Sequence, residues 1–110
     1  MNIIDVDSIK PSSEEVAVFQ GAMHGANVSF FMVKFSPGKG PRKHRHPYEE
    51  TFILLEGEIE ATLDGITQTL RENHIVVIPA GTWHEFKNQS ERAVFMVNIH
   101  PVPEMITEWA

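Results

Sequence analysis

Gly38-Lys39-Gly40-Pro41-Arg42-Lys43-His44-Arg45-His46-Pro47-Tyr48-Glu49-Glu50, closed by Gly57, is the stretch that decides how this chain is read. Its spaced form is Gly38-x5-His44-x-His46-x3-Glu50-x6-Gly57, and Pro79-x-Gly81-x2-His84-x3-Asn88 follows it. Side chains two apart on a β-strand share a face, so His44 and His46 point the same way, roughly 7 Å apart along the strand. Glu50 keeps that parity if the strand runs on through Pro47 and Tyr48. The fourth donor, His84, then comes from a strand lying across from the first, and the spacing predicts that His44, His46, Glu50 and His84 converge on one divalent metal ion.

Donor chemistry narrows the ion. Imidazole and carboxylate suit Fe, Mn, Ni, Cu or Zn, and a chain with no Cys offers no thiolate for a closed structural zinc or an iron–sulfur cluster. Four protein donors around a metal that takes five or six leave positions for water or substrate, which is how a metal becomes catalytic.

Outward from the motif the chain reads as all-β. Val28 to Phe35 is apolar and rich in β-branched and aromatic residues, and it stops at Ser36-Pro37-Gly38. Thr51 to Leu55 and Glu58 to Leu63 flank Gly57; Asp64-Gly65 predicts a tight hairpin turn into Ile66 to Leu70. Ile75 to Ile78, Trp83 to Lys87 and Ala93 to His100 complete the set. Short strands with Gly and Pro turns predict a sandwich or a barrel. Helix is expected only at the ends, over Ser12 to Val16, where a serine caps Glu14 and Glu15, and over Glu104 to Trp109.

The two spaced segments resemble the paired motifs of the cupin superfamily. The first fits at every fixed position; the second fits from Pro79 to Asn88, but Asn73 stands where the family pattern opens with Gly. Asn tolerates a left-handed backbone, so a tight turn there is expected to survive. The resemblance spans about residues 28 to 100 and implies a small jelly-roll β-barrel with the metal inside, an N-terminal segment (1–27) packed on the barrel and a C-terminal arm (101–110), in one domain. It also implies dioxygenation of an enolisable or phenolic substrate, isomerisation, or ring opening of an unsaturated sugar acid; at an open metal site Glu50 is the candidate catalytic group, leaving the metal partly to take a proton from an enol or alcohol. The absence of Cys excludes the Cys–Tyr crosslink frequent in thiol dioxygenases of the superfamily, 110 residues are too few for a two-barrel oxalate decarboxylase, and sugar epimerases generally lack the full quartet. The alternative is a non-catalytic cupin that binds or senses a small ligand.

Strand parity predicts the pocket wall as well: Phe52 and Leu54 follow Glu50 inward, and Phe86 and Asn88 follow His84. Thr51, Ile53 and Leu55 fall on the opposite face. That face needs a cover, and with Val97, Ile99 and the apolar tail residues Met105, Ile106 and Trp109 it predicts a homodimer whose C-terminal segment packs on the partner. His24, His74 and His100 fall outside the motif spacing and are read as structural or surface residues, with an outer-sphere role the alternative for His100.

Composition sets the outer limits. At 42% hydrophobic and 22% charged the chain is that of an ordinary globular domain. Nine Lys and Arg against fifteen Asp and Glu give a net charge of −6, which disfavours general nucleic-acid binding. No apolar run reaches membrane-spanning length, and the N-terminal segment lacks a signal-peptide pattern, so a cytoplasmic protein without a membrane partner is expected. Lys39, Arg42, Lys43 and Arg45 form a local basic cluster, which reads as a solvated loop or as a positive rim that draws in an anionic small-molecule substrate.

Overall fold

The computed structural model describes residues 1–10 and 16–110. Its strands are β1 (Val16–Phe19), β2 (Ser29–Phe35), β3 (His44–Arg45), β4 (Glu50–Glu56), β5 (Glu58–Leu63), β6 (Ile66–Arg71), β7 (Ile75–Ile78), β8 (His84–Lys87), β9 (Val94–His100) and β10 (Glu108–Trp109). They form two five-stranded antiparallel sheets, β1-β2-β9-β4-β7 and β10-β3-β8-β5-β6, which face each other as a jelly roll.

Turn chemistry sets the strand limits. Asp64 and Gly65 both take positive φ, 47° and 81°, and join β5 to β6 with Leu63 opposite Ile66. Such a turn matches the strand twist. Asn73 sits at φ 69°, so the left-handed turn expected from a glycine survives with Asn in its place. Gly40 is required for a different reason: a Cβ there would overlap the Phe86 carbonyl, because the loop before β3 crosses close over β8.

Each inward-facing ladder runs from polar to apolar. On β4 it reads Glu50, Phe52, Leu54; on the antiparallel β9 it reads His100, Asn98, Met96, Val94, all buried. Phe52, Leu54, Ile59, Ala61, Ile78, Phe86, Val94 and Met96 fill the space between the sheets at one end. The buried polar side chains His44, His46, Glu50, His84, Asn98 and His100 gather at the other.

Three expectations about the chain path are corrected. The strand carrying His44 does not continue to Glu50: it ends at Arg45, residues 46–49 leave the ladder, and the chain crosses from one sheet to the other before β4 begins. Pro47 has no N–H to give a ladder, so the strand breaks there. The tail forms no helix; Glu108 and Trp109 pair with Arg45 and His44 as β10. Six residues are too few to repay the cost of helix nucleation, and the edge of β3 offers the tail backbone partners instead. The same pairing places the arm on its own barrel. The helix expected over Ser12 to Val16 lies outside the described residues except Val16, the first residue of β1. Among the described residues helical structure is confined to two short 3-10 turns, Val6–Ile9 and Gly21–Met23, and no helix is long and apolar enough to cross a membrane.

Candidate metal centre

His44 comes from β3, His46 from the crossover after it, Glu50 from the first position of β4 and His84 from the first position of β8. His44 and His84 are directly opposed in the only register pair that joins β3 to β8 among the described residues, with ring centroids 4.2 Å apart. The crossover that breaks the strand carries Glu50 to the facing sheet. The four residues are buried, and one ligand atom from each lies within 4.8 Å of the others.

Each ring of the quartet is aimed by its outer nitrogen. Nδ1 of His44 lies 2.7 Å from the Arg42 carbonyl, that of His46 lies 2.8 Å from the Ile106 carbonyl, and that of His84 lies 2.8 Å from the Thr82 carbonyl. A carbonyl only accepts, so each Nδ1 carries the proton and donates it, and each Nε2 keeps its lone pair for the interior. This is the arrangement by which backbone oxygens orient metal-ligating histidines.

The two oxygens of Glu50 are held differently. Oε1 accepts from Asn98 Nδ2 at 3.3 Å and lies 3.2 Å from His100 Nε2. Oε2 lies 3.0 Å from His84 Nε2 and 3.8 Å from His46 Nε2. These are ion-pair distances without hydrogen-bond alignment, for Glu50 Oε2 and the Nε2 atoms of His46 and His84 have no hydrogen-bond partner and are buried. Orphaned buried polar atoms are costly. A divalent ion with bonds near 2.0–2.1 Å would hold its donors roughly 3–4 Å apart, so small side-chain shifts would let these atoms share one. The donor set and its spacing fit a divalent metal ion.

The electrostatics agree with that fit. Burial pushes the His44 imidazole down to about 4 and also lowers His46, so both are neutral at pH 7. Burial alone would raise Glu50, but the His100 and His84 imidazoles outweigh it and hold the carboxyl well below its usual range. At His84 burial is likewise overcome, by Glu50 and the Thr82 carbonyl, and its pKa is raised.

Behind the quartet, sequence spacing offered His100 an outer-sphere role only as the alternative and did not point to Asn98. His100 is 1% exposed; its Nδ1 lies 2.6 Å from the Tyr48 hydroxyl, which also accepts from the Ile106 N–H at 3.1 Å. Asn98, Tyr48 and the C-terminal arm complete this layer. The alternation of β9 gave one signal: Asn98 and His100 share parity with Met96 and Val94, so two polar side chains had to enter the core.

Above the quartet opens a cavity of about 790 Å³. Phe86 lies on its wall. Phe52 and Leu54, also expected there, lie in the core behind it and are not among the lining residues; Phe52 touches Phe86 edge-on at 4.9 Å. Asn88 is not on the wall either; it donates to the Phe35 and Arg92 carbonyls and pins the loop after β8. Of the basic cluster only Lys39 borders the cavity, joined by Lys34. Arg42 lies over the Trp109 ring, and Arg45 lies over Trp83 and pairs with Glu108 at 2.8 Å.

Comparison with known proteins places this arrangement. The family described as "Cupin domain" matches residues 31–100. The chain is 31% identical over 101 residues to the polyketide synthase CurC of Streptomyces cyaneus, covering 86% of this chain and 66% of that one. It is 38% identical over 66 residues to quercetin 2,3-dioxygenase of Bacillus subtilis, covering 57% of this chain and 20% of that one. Among solved structures, oxalate decarboxylase of Lactobacillus farciminis superposes with a TM-score of 0.83 at 18% identity, over 94% of this chain and 34% of that one. The chain thus spans just under two thirds of the first relative and about a third of this structural neighbour. With its paired motifs, facing sheets and inward quartet, the chain belongs to the cupin family.

Proposed function

We propose that His44, His46, Glu50 and His84 hold one divalent metal ion (Fe, Mn, Ni, Cu or Zn) and that the centre is that of a metal-dependent enzyme acting on a small organic molecule. The observation that carries this reading is that Glu50 Oε2 and the Nε2 atoms of His46 and His84 are buried without partners beside His44, each ring aimed by a backbone carbonyl, with His44, His46 and Glu50 on the wall of a cavity. When bound, the metal would polarise a substrate oxygen, and a redox-active ion would add oxidative chemistry.

The chain's own residues supply the rest. Glu50 is the candidate base because it is the buried carboxylate on the cavity wall, and Asn98 fixes the orientation of its carboxylate. The apolar walls limit water near the quartet and strengthen charge interactions there. Lys34 and Lys39 border the cavity and favour an anionic substrate. Dioxygenation, isomerisation and ring opening all fit a centre of this kind. The quercetin dioxygenase and CurC likenesses support a reaction on an oxygenated organic molecule. A cytoplasmic setting is part of the same reading.

Loading the protein with each of the five metals and incubating it with phenolic, diketone and unsaturated uronate compounds tests the proposal. Oxygen uptake and substrate absorbance are followed together. At least one metal and substrate pair is expected to turn over, and Glu50→Gln is expected to slow it by about 100-fold or more, within the range of general-base contributions. Saturable binding without consumption under every metal would instead favour the ligand-binding module.

The partner we propose is a second copy of the chain, docked on the outer face of the sheet that contains β4. The register aligns Met32, Val97, Ile53 and Ile75 in one row and Phe30, Ile99, Thr51 and Val77 in the next. Ile75 and Val77 are 67% and 55% exposed at the β7 edge. A continuous apolar sheet face of this extent marks an interaction surface. Light scattering after size exclusion is expected to give a dimer for the wild type and a monomer for Val77→Glu; a monomeric wild type refutes the docking.

A further inference from the structure

We infer that Tyr48 and His100 act as a positioning pair: the Tyr48 hydroxyl sets the His100 imidazole in the opposite tautomer from the rings of the quartet. His100 then turns its Nε2–H toward Glu50 Oε1 and leaves Oε2 to the metal. The inference rests on the metal-centre reading and deepens it by assigning which oxygen of its one carboxylate faces the ion.

The Tyr48 hydroxyl has one proton to give. It accepts from the Ile106 N–H at 3.1 Å, so its own proton goes either to His100 Nδ1, at 2.6 Å, or to the Ile106 carbonyl, at 3.4 Å. That carbonyl already receives the His46 Nδ1 proton at 2.8 Å. The shorter separation makes the better bond, and the proton is directed at His100 Nδ1. An imidazole that accepts at Nδ1 carries its proton on Nε2.

The reverse bond, with Nδ1 donating to the hydroxyl, would turn a bare Nε2 lone pair toward Glu50 Oε1, 3.2 Å away. Both residues are buried, and two facing acceptors with no proton between them are costly there. The rings of His44, His46 and His84 are set the other way, because each Nδ1 faces a carbonyl that only accepts. His100 faces a hydroxyl, which can also give.

The pair divides the two oxygens of Glu50. His100 is 1% exposed, and its ring lies edge-on to Phe31 at 5.5 Å and to His46 at 4.5 Å, so it can tilt but not swing away. Its Nε2 sits off the hydrogen-bond angle to Oε1 and has no other partner, and a small tilt completes the bond. Asn98 Nδ2 donates to the same oxygen at 3.3 Å. Two donors therefore attend Oε1, whereas Oε2 is left without a partner among the ligand atoms. A carboxylate with both oxygens free can chelate an ion through both. Holding Oε1 back keeps one more position open for substrate or water.

The test reads proton positions directly. The full chain, labelled with nitrogen-15, is studied by NMR near neutral pH without metal and after zinc loading, and His100 is assigned from the signals lost in His100→Gln. His100 is expected to carry its proton on Nε2 in both states, and the quartet's rings on Nδ1. Zinc affinity, measured by competition with a chelating dye, is expected to fall about 10–100-fold in Tyr48→Phe and in His100→Leu, the range for outer-sphere partners. The double variant should lose no more than His100→Leu alone, and His100→Gln, which keeps an N–H, should recover most of the loss. A His100 proton on Nδ1 in the metal-free protein overturns the pair, as does loss of the Nε2 proton on zinc loading, which would make His100 a ligand. A further loss in the double variant also overturns it, because Tyr48 would then act through Ile106 and His46. A chain that takes up no zinc refutes the metal-centre reading itself, whatever the His100 tautomer, and the division of Glu50's oxygens with it.

Discussion

Replacing His46 by Ala is expected to take the protein from one bound divalent ion per chain to almost none after dialysis. Loss of an outer-sphere partner typically lowers metal affinity by 10–100-fold, so removing a direct ligand should exceed roughly 100-fold. His46 is well suited to this test because its ring sits in the crossover between sheets, where no ladder pairing depends on it. It is 4% exposed, and its Nε2 is among the buried atoms without a partner. The substitution therefore removes a ligand while leaving the barrel's strands intact. Elemental analysis of wild type and variant side by side is decisive: unchanged occupancy would sink the assignment of the quartet.

The second large effect concerns stability. Phe52→Ala is expected to cost about 3–5 kcal/mol in urea unfolding, as for other buried aromatic residues cut back to a methyl. Phe52 is 0% exposed, and it packs edge-on against Phe86 with the rings inclined at 74°. Against a total of about 5–15 kcal/mol for a domain of this kind, that loss removes a large share of the fold's stability. At temperatures where the variant stays folded, its metal content should match wild type. A loss below about 1 kcal/mol would mean that the ring is not part of a close-packed core.

The difference between Phe52 and Phe86 shows where sequence stops informing. Both share a face with a ligand, and parity treats them alike. One fills the core and the other borders the cavity because β4 and β8 belong to facing sheets, and depth along the barrel is set by how those sheets pair. The strands themselves were legible through local chemistry: Asp64-Gly65, Gly57 and Pro79-Ala80-Gly81 mark limits that the structure keeps within a residue or two. The convergence of the quartet was legible too, although the path was not. Pro47 turns the chain between sheets, a tertiary event that no two-residue periodicity encodes.

Long-range partners were the least visible. His100 meets Tyr48 across 52 residues and Glu50 across the β4–β9 ladder, so its role depends on contacts that only folding creates. The basic cluster was legible only as two alternatives, a solvated loop or a positive rim. The partners of Arg42 and Arg45, which are Trp109, Trp83 and Glu108, come from the distant tail and from β8's approach and carry no local signal. The strands β1 and β10 were missed because they are short and gain their pairing from β2 and β3, not from their own pattern.

The arm that ends in β10 ties the tail of the chain to the centre. Two residues of ladder, the Arg45–Glu108 pair and the bond from the Ile106 N–H to the Tyr48 hydroxyl hold it; Ile106 supplies the carbonyl that aims His46, and Trp109 lies 5.0 Å from the His44 ring. Docking of the arm and occupancy of the quartet are therefore linked, and linkage is reciprocal. Whatever holds the arm down tightens the site, and whatever pulls it away loosens the site. A purification tag fused after Ala110 would load the arm next to the His44 ring, whereas one placed ahead of Met1 would leave the aim of His46 undisturbed.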